Sequence, residues 1–320
     1  MLVVTGGAGF IGSNLVRALN AAGRSDILVV DDLRDAHKVL NLSGCKIADY
    51  LDMHDFRSRI TAGQELAPKL EGIFHQGACT DTTEWDGVLM MQANYEYSKQ
   101  VLNYATARKV PLVYASSASV YGAGREFRVS EDCERPINVY AFSKLMFDRH
   151  VRQVTASFRA PVIGLRYFNV YGPGEAHKGK MASVIHHFSE QLKSGDEVRL
   201  FTGSDGYEDG GQLRDFIHVD DIVAVNLWAL ERCGKSGIFN VGTGQARSFN
   251  DVASAVLKWH GRGRISYIPF PAHLQGSYQS YTQADLSGLQ AAGYSAPFIP
   301  VEAGVPRYLD ALSPGQVLTC

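Results

Sequence analysis

Thr5-Gly6-Gly7-Ala8-Gly9-Phe10-Ile11-Gly12 follows the apolar run Leu2-Val3-Val4 and opens a segment, residues 10–22, whose apolar positions recur at three- and four-residue spacing. A glycine-rich stretch between a strand and a helix is the context in which such a stretch holds a dinucleotide. One glycine makes the tight turn, one lets the backbone approach a pyrophosphate, and one permits close helix–strand packing. The helix start then offers free N–H groups and a partial positive charge to the phosphates. Asp31-Asp32 ends the next apolar run, residues 27–30, where a carboxylate can accept ribose hydroxyls. A merely structural tight turn is the plainer alternative, and the strand, helix and acidic pair together argue against it.

Working outward, further β-branched runs stand at 72–76, 111–116 and 162–168, separated by helical patterns at 84–108 and 138–157. This alternation predicts a parallel sheet covered on both faces. The chain has 320 residues, beyond the ~250–300 at which a single core stops growing, so two lobes are expected. We expect an α/β fold: a Rossmann-like, doubly wound parallel sheet with a smaller C-terminal α/β substrate-binding lobe. The dinucleotide-binding domain is expected at 1–168, with 213–243 returning to it. Residues 169–212 and 244–320 then form the smaller lobe, punctuated by Gly172-Pro173-Gly174, the polar stretch 202–212 and residues 269–271.

Lys+Arg total 31 and Asp+Glu 33, a net charge of −2, which excludes a protein that binds nucleic acid through bulk electrostatics. The first residues lack a basic region followed by an apolar one, and no predominantly apolar run reaches the ~18 residues of a membrane helix. A cytoplasmic protein without membrane association is therefore expected. Cys45, Cys79, Cys133, Cys233 and Cys320 show no CxxC pair and no metal-like spacing with His, so free thiols and no metal site are expected.

Tyr140 and Lys144 are an i, i+4 pair in a helical pattern and therefore share a face. A phenol with a pKa near 10 becomes a usable base when a neighbouring cation stabilises its phenolate. Ser116-Ser117-Ala118-Ser119 ends the strand predicted at 111–116, at the sheet edge where open parallel sheets bind ligands. A Ser-rich turn is the plain reading of these hydroxyls.

With Gly6-x-x-Gly9-x-x-Gly12 upstream, this constellation resembles the extended short-chain dehydrogenase/reductase family. The resemblance implies a nicotinamide cofactor and makes Ser117 the serine that binds the reacting oxygen, beside Tyr140 and Lys144. Dehydratases of the family carry Asp-Glu just after that serine. Ala118 and Ser119 stand there instead, which leaves hydride transfer, alone or followed by its reversal.

Several further stretches are similar to the nucleotide-sugar epimerases of the family, in the branch acting on an ADP-linked heptose. They are Arg166-Tyr167-Phe168-Asn169-Val170-Tyr171-Gly172-Pro173-Gly174, Gly174-Glu175-Ala176-His177-Lys178-Gly179-Lys180, Thr82-Thr83-Glu84-Trp85-Asp86-Gly87 and Tyr281-Thr282-Gln283-Ala284-Asp285. The resemblance covers essentially the whole chain. It implies inversion of C6 through a transient ketone, in lipopolysaccharide precursor synthesis, by a homo-oligomer that is a pentamer in that branch. A UDP-sugar 4-epimerase or a sugar-nucleotide reductase is the alternative activity, and neither needs Lys178.

Two proton-transfer groups are implied, Tyr140 and Lys178. For Lys178 to act as a base its pKa must fall, through burial or through a nearby cation such as Lys180; its bland alternative is a solvated loop lysine. The cofactor is implied to contact Gly6, Gly9, Phe10, Ile11, Gly12, Asp31, Asp32 and Lys38. The loop Gln76-Gly77-Ala78-Cys79-Thr80 joins these, with Asn94, Lys144 and Val170. NADP is the expected cofactor and NAD the alternative: Asp31 and Asp32 repel a 2′-phosphate, whereas Arg34 and Lys38 neutralise one. Substrate contacts carried over are Asn169, Lys180, His187, the stretch Phe201-Thr202-Gly203-Ser204, Arg214 and Tyr278; helix packing is an equal reading of His187. The sequence departs from the family pattern at Gln76, where Glu is usual, at Lys180, where Ser is expected, and in a longer, glycine-rich stretch 205–212.

Overall fold

A computed structural model describes residues 1–271 and 278–312. Seven strands, β1 (Leu2–Thr5), β2 (Ile27–Asp31), β3 (Asp49–Asp52), β4 (Gly72–His75), β5 (Leu112–Ser117), β6 (Val162–Tyr167) and β7 (Gly237–Val241), form one sheet in the order β7-β6-β5-β4-β1-β2-β3. Every neighbouring pair is parallel. Among the described residues eight longer helices follow one another: α1 (Phe10–Ala21), α2 (Met53–Thr61), α3 (Tyr97–Arg108), α4 (Val139–Val154), α5 (Val184–Ser194), α6 (Val219–Arg232), α7 (Phe249–His260) and α8 (Val301–Ala311).

Alternate strand residues point to opposite faces, and here both faces are covered. Val4 and Val29 pack with Leu15 and Val16 of α1 and Ile222 and Val225 of α6. Val3 and Leu28 pack on the other face with Phe56 of α2, Val101 of α3 and Phe147 of α4. The doubly wound parallel sheet is thus the one the alternation predicts, including the return of 237–241 to its edge beside β6.

Two features depart from expectation. β3 and α2 were not foreseen, because Asp49-Tyr50-Leu51-Asp52 is an edge strand with only Leu51 buried, so its charged positions face water and no apolar run marks it. The helical pattern at 84–108 divides into a turn at Gly87–Met90, a π-helical turn at Met91–Glu96 and α3. Such π-turns concentrate at functional sites, and this one buries Asn94.

Beyond β6 the chain builds smaller pairings. Asn169–Tyr171 lies parallel to Phe216–His218, Leu213–Arg214 antiparallel to Arg247–Ser248, and Glu197–Phe201 parallel to Arg264–Ile268. Ile185 and Phe188 of α5, Val252 and Val256 of α7, and Val305 and Leu309 of α8 form their common core.

A buried polar network ties the sheet to α4. Arg166 on β6 is 0% exposed. It donates to Asp148 of α4 at 2.8 Å, to the Tyr121 hydroxyl at 3.0 Å and to Glu134. Asp148 also accepts from Ser116 at 2.9 Å and Tyr114 at 3.0 Å. A buried charge without its partner costs several kcal/mol, so this satisfied network fixes where α4 lies against the ends of β5 and β6. Tyr140 and Lys144 share that helix. Cys79, Cys133 and Cys233 are free thiols; Cys45 is disulfide-bonded, which corrects the expectation of a free thiol there, and Cys320 lies outside the described residues. Among the described residues no helix is long and apolar enough to cross a membrane, and no group of three or more His, Cys, Asp or Glu could hold a metal ion.

Candidate active site

Gly6 has φ 65°, the left-handed region that favours glycine, and a Cβ there would fall 2.7 Å from the Gly77 amide nitrogen. A Cβ at Gly12 would lie 2.0 Å from the Gly6 carbonyl oxygen. Gly9 is the N-cap residue of α1 and donates its amide to Gly6 at 3.0 Å. The turn is therefore closed against side chains while α1 begins directly over it, a cradle that fits a pyrophosphate. Phe10 and Ile11, the first residues of α1, line the adjoining cavity.

Asp31, at the end of β2, is 6% exposed. Its carboxylate accepts from the amides of Ala8 (2.7 Å) and Asp32 (2.7 Å) and from the Lys38 ammonium at 2.6 Å. Asp32 pairs with Arg34 at 3.2 Å. Both acids thus face cations supplied by the following loop, which offsets the repulsion they would offer to a 2′-phosphate.

After β4, the Gly77 amide donates to Thr5 Oγ1 at 3.2 Å. Asn94, from the π-helical turn, accepts from the Cys79 amide (2.8 Å) and donates to the Cys79 carbonyl (3.0 Å) and to Ser143 of α4 (3.0 Å). This one amide side chain fixes the 76–80 loop and joins it to the helix of Tyr140. Gln76 donates to Asn226 at 3.0 Å and accepts from the Tyr167 hydroxyl at 3.1 Å, so the neutral amide completes a neutral network.

Gln76, Ala78, Thr80, Ser117, Tyr140, Lys144, Asn169 and Val170 line a cavity of about 640 Å³. Ser117 accepts from the Ser119 hydroxyl at 2.9 Å. Burial pushes the Tyr140 phenol above its usual pKa, opposed by a hydrogen bond with Ser117. Lys144 donates to the Ala115 carbonyl at 2.9 Å, and its ammonium lies 6.0 Å from the centre of the Tyr140 ring. Burial brings the Lys144 pKa down to about 8, against the pull of Asp148 and Cys79. Lys144 is thus desolvated and anchored beside the phenol rather than salt-bridged to it.

Lys178 lines the same cavity from the turn Ala176–Met181, its ammonium 5.5 Å from the centre of the Phe10 ring. Burial lowers its pKa, as a proton-transfer lysine requires, and Glu175 opposes the shift. Lys180 takes no part in that shift: it donates to Thr83 at 3.0 Å and sits 3.5 Å from Asp81, bridging to the 81–86 loop.

Farther out, Arg214 is 5% exposed and stacks on Tyr278, 4.7 Å from its ring centre, and on Phe249, 5.8 Å. Its side chain donates to the Leu213 carbonyl at 3.1 Å and hydrogen-bonds Tyr278, and among the described residues no carboxylate forms an ion pair with it. Burial lowers its pKa. A desolvated guanidinium lacking an acidic partner and facing a cavity is a site for an anion. Phe201 and Tyr278 also line the cavity. His187 on α5, Thr202, Gly203 and Ser204 lie outside the lining; Thr202 instead accepts from the Phe270 amide at 3.1 Å and Ser204 from Gln212 at 3.1 Å. Arg199, Gln279, Phe249 and Thr82 line it without having been anticipated. Only Thr82, within the quoted 82–87 stretch, carried a local signal.

The chain matches the NAD dependent epimerase/dehydratase family over residues 2–242. It is 56% identical over 313 residues to an ADP-L-glycero-D-manno-heptose-6-epimerase of Alkalilimnicola ehrlichii, covering 98% of each chain. Among solved structures, the ADP-L-glycero-D-manno-heptose-6-epimerase of Helicobacter pylori superposes with a TM-score of 0.82 at 33% identity, over 97% of this chain and 95% of that one. The UDP-glucose 4-epimerase of Thermus thermophilus, in complex with NAD, gives 0.78 at 28% identity over 98% and 99%. With a glycine cradle, a Ser-Tyr-Lys constellation and this match over most of its length, the chain belongs to the NAD dependent epimerase/dehydratase family.

Proposed function

We propose that the chain inverts C6 of ADP-D-glycero-D-manno-heptose to give the L-glycero epimer, by transient oxidation to a ketone and re-reduction. The observation that carries this reading is that two proton-transfer groups from different elements, Tyr140 on α4 and Lys178 on the Ala176–Met181 turn, line one cavity. The 56% identity to a heptose epimerase supports the same substrate. Lys178 weighs against a UDP-sugar 4-epimerase, which has no use for it.

The Gly6–Gly12 cradle and the 76–80 loop would hold a nicotinamide dinucleotide, which when bound would supply the hydride acceptor and donor for C6. Ser117 and Tyr140 bind the reacting oxygen. In oxidation one of the two groups takes the hydroxyl proton as the C–H bond breaks; in reduction the other supplies a proton to the carbonyl oxygen, so the stereocentre inverts with no net change in oxidation state. Lys144 supplies positive charge beside the Tyr140 phenol. Arg214 donates to the diphosphate, with Tyr278 and Phe249 stacking on its planar guanidinium. The 1–168 and 213–243 segments are assigned to the dinucleotide and the remainder to the sugar nucleotide, with Arg214 the exception, since its strand pairs with Arg247–Ser248 of the smaller lobe.

The Arg34 and Lys38 cations beside Asp31 and Asp32 support NADP over NAD. Purified protein given either heptose epimer, with no added cofactor, is expected to interconvert them by NMR, and denaturation is expected to release NADP by mass. Absence of interconversion with cofactor loaded overturns the reading. We also infer a homo-oligomer, a pentamer by resemblance. The exposed side chains of Phe142 on α4, of Val88 and Leu89 on the Gly87–Met90 turn packed against it, and of Trp85 just before that turn support it. A monomer mass by sedimentation would overturn it.

A further inference from the structure

Glu175 is 0% exposed. Its carboxylate accepts from the Gly172 amide at 3.2 Å, the Ser183 hydroxyl at 2.7 Å and the Ser183 amide. Its backbone carbonyl accepts from the Lys178 amide at 2.9 Å. The Tyr308 phenol of α8 is held protonated by burial and by a hydrogen bond to the same carboxylate, and that hydroxyl also meets His186 Nδ1 at 3.2 Å. One side chain therefore fastens both ends of the loop between Gly172 and Ser183 to each other and to α8, and Lys178 sits in the middle of that loop.

A neutral side chain could clip two amides. Burying a carboxylate costs several kcal/mol even after relaxation, and among the described residues no Lys or Arg forms an ion pair with Glu175. The buried carboxylate raises the pKa of Lys178 against burial, and it does the same for His186. The Lys178 ammonium lies over the ring of Phe10, which opens α1.

We propose that Glu175 is the positioning residue for Lys178, clamping the loop that presents this lysine to the cavity. The proposal rests on the two-group reading given above. Its test separates the two half-reactions: each epimer is mixed singly with loaded enzyme and reduction of the bound dinucleotide is followed by absorbance, with ADP affinity measured alongside.

Lys178→Met is expected to slow reduction by one epimer about 10²–10⁴-fold and to spare the other. Glu175→Gln is expected to slow the same epimer about tenfold to a hundredfold through misplacement of the amine. The other epimer and ADP binding should remain within about twofold. Ser183→Ala removes one of the donors and keeps the charge. A smaller loss confined to the same epimer is expected, and this variant decides the matter if Glu175→Gln fails to fold. Symmetric loss or none, in a folded variant, overturns the positioning role when Lys178→Met is one-sided. If Lys178→Met is not one-sided, the two-group reading falls and the proposal with it.

Discussion

Tyr140→Phe is expected to lower epimerisation about 10²–10⁴-fold, the range attributable to a positioned general acid–base group. The ring is retained, so the packing of α4 and its ties through Asn94 to the 76–80 loop should survive. Cofactor content by mass and the melting temperature are therefore expected to match the parent. Loss of activity with loss of cofactor would assign Tyr140 to binding instead.

The pH dependence has a definite sign. Burial keeps the Tyr140 phenol protonated at neutral pH, which suits proton donation in the reductive step. In the oxidative step the phenol must accept a proton, and the charge favouring phenolate is that of Lys144. The pKa of Lys144 is lowered to about 8 by burial, so its charge is present below that pH and lost as pH rises through it. The oxidative half-reaction served by Tyr140 is expected to decline above about pH 8, even though a free phenol would ionise more readily there. A rate that keeps rising well above that pH would show that Lys144 does not sustain the phenolate.

How much of this was legible in the sequence depended on whether the determining contacts are local. The Gly6–Gly12 turn, α1 and the Tyr140–Lys144 face are set by neighbours a few residues apart, and they stand where spacing places them. Strand ends moved by a residue or so: β2 continues to Asp31, β4 stops at His75 and β5 runs on to Ser117. β3 was missed because a strand at a wet sheet edge needs only Leu51 inside. The π-helical turn at 91–96 leaves no mark in a pattern of apolar positions, yet it is what aims Asn94 at Cys79. Arg199 and Gln279 enter the cavity lining through long-range packing, and no local spacing announces that. Glu175 stood within a quoted motif, but its burial is a fact of the fold, set by Ser183 and by Tyr308 far along the chain. The longer glycine-rich stretch 205–212 obscured the register before Arg214. Pairing of Leu213–Arg214 with Arg247–Ser248 places the guanidinium over Phe249 and Tyr278, a contact made by residues far along the chain.

That guanidinium supports the second large effect. Arg214→Met should raise KM for the nucleotide sugar and weaken ADP binding about 10- to 100-fold, since hydrogen bonds to a charged group contribute roughly 1.5–3 kcal/mol each. The change in kcat should be smaller, because the diphosphate is remote from the reacting carbon and bound alike before and during reaction. Stability should move the other way. Arg214 is buried with no carboxylate partner among the described residues, so without ligand it bears a desolvation cost that an apolar side chain of similar length would remove. Methionine can lie along the same rings of Tyr278 and Phe249. The unliganded variant is therefore expected to melt at the same temperature as the parent or higher, while ADP raises the melting temperature of the parent far more than that of the variant. An arginine that merely braced the fold would give the reverse pair of results: a lower melting temperature without ligand, and an ADP affinity by calorimetry that stays near the parent value.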